Sequence, residues 1–357
     1  MSVATVEVSA PPARSRRRGG RQLLHGNRTR TIGLIVAIVV MVLVALASLA
    51  IGSKPIAFRA VLDALFDRDN ARDADVIIWQ LRVPRTLLGL LVGSALGLAG
   101  ALMQGVTRNP LADPGILGVE AGAALLVVIA ISVFGIDSLS QYVWFAFVGA
   151  GVVAVFVYGL GSLGREGATP VKLALAGAAV SAMLSSITAA ILLSDVAALD
   201  QFRFWEVGSL SGRGPVIVAE VTPFILVGIV CALAAGRIVN ALSLGDDVAR
   251  SLGQRVAWAR LFSAFAVVLL CGAATAAAGP IAFVGLVVPH VARGITGPDY
   301  RWILPYSAVL AAILLLGSDI IGRVVARPGE LQVGIVTALI GAPFFVALAR
   351  SRKVAEL

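Results

Sequence analysis

The chain alternates long apolar runs with short polar breaks, and the runs have membrane-crossing length. A helix needs about 20 consecutive apolar residues to span a bilayer, and the stretch from Ile32 to Ile51 supplies them. The same criterion predicts further spans near 83–105, 115–134, 142–162, 171–194, 216–236, 256–278, 302–322 and 332–349. The segment from Gly279 to His290 is apolar but short and broken by Gly279, Pro280, Gly285 and Pro289. It is predicted as an interrupted eighth span, since non-helical backbone survives at membrane depth only where protein or a water-filled cavity covers it. Ten spans result, and the fold class is an all-α polytopic membrane protein.

The polar breaks carry their own patterns. Residues 52–81 include an amphipathic stretch, Phe58 to Phe66, expected at the outer surface. Asp195 to Pro215 contains Phe202, Phe204 and Trp205, suited to a short interfacial helix. Asn240 to Gly253 is an island too polar for lipid, with Leu242, Leu244, Val248 and Leu252 set among Asp246, Asp247 and Arg250. Such an island either docks as a short amphipathic helix in a partner's groove or lies on the membrane surface.

From Leu81 to Gly122 the pattern is densest. Gly89, Gly93, Gly97 and Gly100, with Ser94, Ala95, Ala99 and Ala101, predict a helix whose neighbours approach closely, because small residues drive helix contact in lipid. Arg108-Asn109-Pro110-Leu111-Ala112-Asp113-Pro114-Gly115 then forces a tight hairpin, since its two prolines lack the amide hydrogen a helix needs. Arg85 precedes Gly97 by twelve residues and Arg260 precedes Gly272 by twelve. The two helices start on opposite sides in this topology, which makes the pair a weak inverted repeat of the kind transporters carry.

Composition agrees with the pattern: 59% of the 357 residues are hydrophobic and 14% charged, against roughly a quarter charged in soluble domains. Mean hydropathy is +0.94. The formal charge of +9 is topological and does not signal nucleic acid. Arg14, Arg16, Arg17, Arg18, Arg21, Arg28 and Arg30 precede the first span, and 19 of the 29 basic residues fall on the tail's side. The positive-inside rule then puts both termini on the cytoplasmic side. Residues 1–30 read as a disordered basic tail, 31–350 as the transmembrane domain with its loop at 240–253, and 351–357 as a cytoplasmic C-terminal tail.

Catalysis has little to work with. His25 lies in the tail and His290 is expected to cap the broken helix, so neither a histidine catalytic set nor a metal site is predicted. Cys231 and Cys271 read as core residues. No GxxxxGK[ST] loop is present, so the chain carries no ATPase site and binds no cofactor itself.

Four stretches together resemble one family: LRVPRTLLGLLVGSALGLAGALMQGVTRNPLADPGILGV, LSLGDDVARSLG, GPIAFVGLVVPHVAR and DIIGRVVARPGELQVGIVTALIGAPFFVALAR. In this order, over about residues 32–350, they are similar to the FecCD permeases of ABC importers. The resemblance implies a type II importer fold and a second permease subunit, identical or sister. It also implies two ATPase subunits that bind ATP and Mg, and an extracytoplasmic substrate-binding protein.

It assigns Leu242, Leu244, Gly245, Asp246, Asp247, Arg250, Ser251, Leu252 and Gly253 to coupling with the ATPase. Asn109, Pro110 and Leu111, with Thr169 and Pro170, become a cytoplasmic gate. Arg82, Arg85, Arg323 and Arg327 become a docking surface for the binding protein, the alternative being snorkelling or helix capping.

Asp319 matches an aspartate usual in the family and reads as a helix–helix hydrogen-bonding residue. Glu120 stands where relatives carry a small polar residue. It is either a pathway residue or a neutralised, hydrogen-bonded carboxyl. The expected function is an iron-siderophore permease, with haem or cobalamin import and a proton-coupled carrier as alternatives.

Overall fold

In lipid a chain must satisfy its own backbone hydrogen bonds, which leaves helices for apolar runs of this kind. Among the described residues every regular element is helical. The computed structural model describes residues 23–24, 26–52, 56–67, 73–163 and 169–350. Most of the predicted disordered tail and the C-terminal residues 351–357 lie outside them.

In chain order the helices are α1 (Asn27–Ala50), α2 (Phe58–Phe66), α3 (Asp73–Ile77), α4 (Val83–Thr107) and α5 (Val119–Ser132). There follow α6 (Leu139–Gly161), α7 (Pro170–Ser194), α8 (Val196–Glu206), α9 (Pro215–Ala234) and α10 (Gly236–Ser243). The last five are α11 (Asp246–Ser251), α12 (Val256–Ala278), α13 (Val284–Thr296), α14 (Tyr300–Val325) and α15 (Val333–Arg350). Seven of these are long and apolar enough to cross a membrane, and the shorter apolar α5, α13 and α15 bring the crossings to the ten predicted.

Helix α4 is the centre. It packs on α14, α12, α13 and α9, and 78% of its apolar stretch is buried, against 11% for α1 at the periphery. The predicted glycines make this possible. A Cβ on Gly93 would lie 2.7 Å from Ala312 Cα, and one on Gly97 or Gly100 would collide with the carbonyl of Ser307 or Gly285. The glycine face therefore seats α14 along the upper part of α4 and α13 below it.

Several boundaries differ from the sequence reading. Helix α1 begins at Asn27 and not Ile32, so residues 27–30 are helix and not tail. A π-helical turn, Ile78–Arg82, joins α3 to α4, so ordered helix starts well before residue 83. The hairpin opens on Arg108, left-handed at φ 54°, and closes on a 3-10 turn, Pro114–Leu117, which delays α5 to Val119. Asp113 caps that turn by accepting from the Gly115 amide at 2.8 Å.

The eighth span is broken only over 279–283. From Val284 the helix is continuous, with Pro289 inside it, so His290 sits mid-helix and caps nothing. Helix α8 is a short amphipathic surface helix: Val196, Leu199 and Phe204 are exposed, while Phe202 and Trp205 are buried on its inner side with ring centroids 5.7 Å apart. Cys271 is buried as expected, while Cys231 is half-buried; both are free thiols.

Candidate functional site

The candidate site residues gather at the two ends of the bundle. At the end where α1 finishes, the last carbonyls of that helix need donors. Arg82 donates to Leu49 O at 2.6 Å and Ala50 O at 2.8 Å. Arg323 donates to Ser48 O at 3.0 Å and Ile51 O at 2.9 Å, and Arg327 to Gly52 O at 2.7 Å. Three of the four predicted docking arginines thus cap α1. Arg82 and Arg323 are buried, and Arg327 keeps an exposed side chain.

Arg85 is held by carboxylates. Its Nε and Nη2 grip Asp319 at 3.1 and 2.7 Å, and its Nη1 reaches Glu330 at 2.7 Å. Asp319, fully buried, also meets Arg323 at 3.0 Å. Asp319 ties α4 to α14, the helix–helix role expected of it. Glu330, which no local pattern marks, further accepts from Ser211 at 3.3 Å and fastens the loop after α8 to the loop before α15. Burial raises the Glu330 carboxyl, but the Arg85 guanidinium outweighs it and leaves the group below its ordinary range. Two adjoining cavities, of about 260 and 330 Å3, share Arg85, Ser211, Arg213 and Glu330 on their walls.

At the opposite end, α10 and α11 form the predicted island, with Gly245 at φ 109° between them. The structure divides its residues into two faces. Leu242 is buried against Ala249, Val256 and Ala259, so it belongs to packing and not to a contact surface. Asp246 turns inward, accepting from Arg260 at 2.9 Å and lying 3.4 Å from Arg108. Leu244, Val248 and Leu252 face out at 63%, 44% and 60% exposure, beside the surface pair Asp247–Arg250 at 2.8 Å. An exposed leucine patch on two short helices is the kind of face that enters a partner's groove.

Behind this face a second joint forms. Asn240 donates to Asp299 at 2.7 Å and accepts from the Tyr300 amide at 2.8 Å, fastening α10 to the start of α14. Hydrogen bonds from Arg301, and then Asn240, pull the Asp299 carboxyl down to about 2 against the opposing effect of burial.

The predicted gate residues lie at this same end. Asn109 makes an Asx turn to the Leu111 amide at 2.9 Å, and the exposed Leu111 forms the hairpin tip. Thr169 caps α7, accepting from Lys172 N at 3.4 Å, with Pro170 as the first helical residue. The 3-10 turn after the hairpin packs against α7, with Gly118 facing Ser181. Glu120 sits in the first turn of α5 and points back at that turn. A Cβ on Gly115 would lie 3.7 Å from its Oε2 and 3.0 Å from Asp113 Oδ1.

A further membrane carboxylate, Glu220 on α9, was missed. Its Oε2 is buried without a hydrogen-bond partner among the described residues, beside Trp144, Phe147 and Phe224. A glutamate inside an apolar run is itself the signal that would have found it. Among the described residues no three His, Cys, Asp or Glu side chains converge as a metal site.

The chain is similar to known permeases over most of its length. The ferric enterobactin permease FepD of Escherichia coli is 44% identical over 324 residues, covering 91% of this chain and 96% of that protein. The iron(3+)-hydroxamate permease FhuB of Bacillus subtilis is 43% identical, covering 91% and 85%. The hemin permease HmuU of Yersinia pestis is 36% identical, covering 87% and 93%. A solved inward-facing ABC transporter described as of metal-chelate type superposes with a TM-score of 0.79 at 29% identity, covering 89% of this chain and 99% of that one. The FecCD transport family matches residues 38–351, and with that match over nearly the whole ten-span bundle the chain belongs to this family of membrane permeases.

Proposed function

We propose that this chain is the permease subunit of an ATP-driven importer whose cargo is a ferric siderophore. The observation that carries the cargo is relatedness. Identity reaches 44% to a ferric enterobactin permease and 43% to a ferric hydroxamate permease, against 36% to a hemin permease. No residue of the chain names the chelate.

In this reading the exposed Leu244, Val248 and Leu252, with Asp247, Arg250, Ser251 and Gly253, contact an ATPase subunit that binds ATP and Mg. Both termini face the cytoplasm, a second permease subunit completes the pathway, and a binding protein delivers cargo at the other end. There Arg85 and Arg323 pair with the two carboxylates, Asp319 and Glu330, while Arg82 and Arg327 donate to backbone carbonyls, so four guanidinium groups stand beside two carboxylates. The excess positive charge suits an acidic docking face, with Arg327 the most accessible of the four. Asn109 to Leu111, with Thr169 and Pro170, form the inner gate, and Glu120 stands beside the path behind it. Alternating access requires the ATPase to contact its two nucleotide states differently, since a partner indifferent to state shifts nothing.

The test is uptake of a radiolabelled ferric siderophore into proteoliposomes holding permease, ATPase and binding protein. Uptake is expected to need the ATPase and ATP and to survive a protonophore. Uptake that persists without the ATPase and collapses with the proton gradient would make the chain a secondary carrier. Uptake of haem or cobalamin in place of the siderophore would move the cargo assignment alone.

A further inference from the structure

A cavity of about 390 Å3 opens between α9 and α14 at the end of the bundle that carries α10 and α11. Its walls are Leu233 and Ala234 on one side and Leu304 and Pro305 on the other, and its rim holds Arg237 and Arg301. The two arginines are brought together by Gly236. A Cβ there would lie 3.5 Å from Arg301 Cα, so the first turn of α10 rests on the first turn of α14.

The rim has donors to spare. Arg301 spends Nε and Nη2 on Asp299 at 3.1 and 2.8 Å, and nothing among the described residues takes its Nη1. Arg237 is exposed, and among the described residues no carboxylate pairs with it. One acceptor is also free of its helical partner. Pro305 has no amide hydrogen to give the Arg301 carbonyl four residues earlier.

We infer that this groove binds one anionic phospholipid of the phosphatidylglycerol type. The phosphate sits between Arg237 and Arg301, the headgroup hydroxyl donates to the Arg301 carbonyl, and an acyl chain lies along Leu233, Leu304 and Pro305. A free phosphate would leave the apolar walls unmatched. A choline headgroup would bring a cation to two cations. Basic pockets between membrane helices at the headgroup level have this chemistry. The apolar face of α9 continues beside the groove through Val230 and Leu233, 67% and 46% exposed, which is a surface for lipid chains. The lipid would strap α10 to α14 alongside the Asn240–Asp299 joint, next to the face that contacts the ATPase.

The probe is the purified full-length permease in phosphatidylcholine nanodiscs with phosphatidylglycerol as the minor lipid, read by native mass spectrometry. Wild type is expected to retain phosphatidylglycerol preferentially, and Arg237→Gln to lower that preference about five-fold, the effect of one basic residue near an anionic lipid. Leu233→Trp, which fills the groove and keeps both charges, is expected to lower it too. Arg255→Gln, an exposed arginine at the same end outside the groove, is expected to leave it unchanged. Melting in phosphatidylcholine alone checks that each variant is folded. Equal retention of the two lipids by wild type would overturn the inference. So would an equal loss in Arg255→Gln, or displacement of the lipid by free glycerol 1-phosphate.

Discussion

At the scale of single residues, buried arginines in this chain do structural work before any docking. Arg323 donates to the Ser48 and Ile51 carbonyls at the end of α1 and to Ser48 Oγ while facing Asp319, all with its side chain 2% exposed. Removing one member of a buried ionic set costs about 3–5 kcal/mol, because its partners are left without compensation. Arg323→Gln is therefore expected to lower stability by about that amount, read as an earlier midpoint in detergent melting. Lysine should rescue only partly, since one ammonium lacks the fork that serves carbonyl and carboxylate together. The island residues divide likewise. Asp247→Asn with Arg250→Gln removes an exposed pair and should leave the melting midpoint nearly unchanged while reducing ATP-driven uptake. Asp246→Asn strips Arg260 of its carboxylate and should destabilise the fold as well. If the Asp247 and Arg250 double variant transports like wild type, that outer face makes no productive contact. Sequence could mark Asp246, Asp247 and Arg250 as one polar island, but adjacency along the chain hides that Asp246 faces inward, which only the position of Arg260 reveals.

At the scale of elements, the spans were legible because apolar length and small-residue spacing are local properties of the chain. The lengths of α5 and α13, and the burial of Phe202 and Trp205 in α8, were not, since those depend on which neighbours cover the backbone. The joint between α10 and α14 is another non-local feature, and it makes a prediction. Asp299 ordinarily titrates near 4 in an unfolded chain, and in the fold it is held down to about 2, first by hydrogen bonds from Arg301. A depressed carboxyl contributes stability that is complete above the unfolded value and is lost as pH falls through the folded one. The joint should therefore loosen between about pH 4 and pH 2. Hydrogen exchange at the Tyr300 amide, which Asn240 accepts, is expected to accelerate over that window. In Asp299→Asn the same amide should exchange with little dependence on pH there. An acid response of equal size in both proteins would assign it to another group.

At the scale of the molecule, α4 is the element that touches both ends. Arg85 near its start is fastened to Asp319 and Glu330, and Arg108 just beyond its last turn reaches Asp246 on α11. Helix α12 answers it in the opposite direction, packed on α4 with Arg260 near its own start on the same Asp246. That is the weak inverted repeat in physical form, an arginine near the start of each helix fixed by a carboxylate at opposite ends of the bundle. A helix buried along most of its apolar stretch is held by its neighbours and shifts only with them, so in the proposed importer α4 could carry displacement between a binding protein at one end and an ATPase at the other. Arg108→Gln cuts this link where it is weakest, a 3.4 Å contact with the arginine 40% exposed, and leaves Arg260 on Asp246. Its cost in stability should stay below about 1 kcal/mol, as for other exposed pairs. In the assembled importer, ATPase stimulation by cargo-loaded binding protein should fall about five-fold, the low end of typical coupling energies, while basal ATPase activity stays unchanged. Undiminished stimulation in a folded Arg108→Gln variant would mean that the signal reaches α11 through α12 and the Arg260–Asp246 pair, without the end of α4.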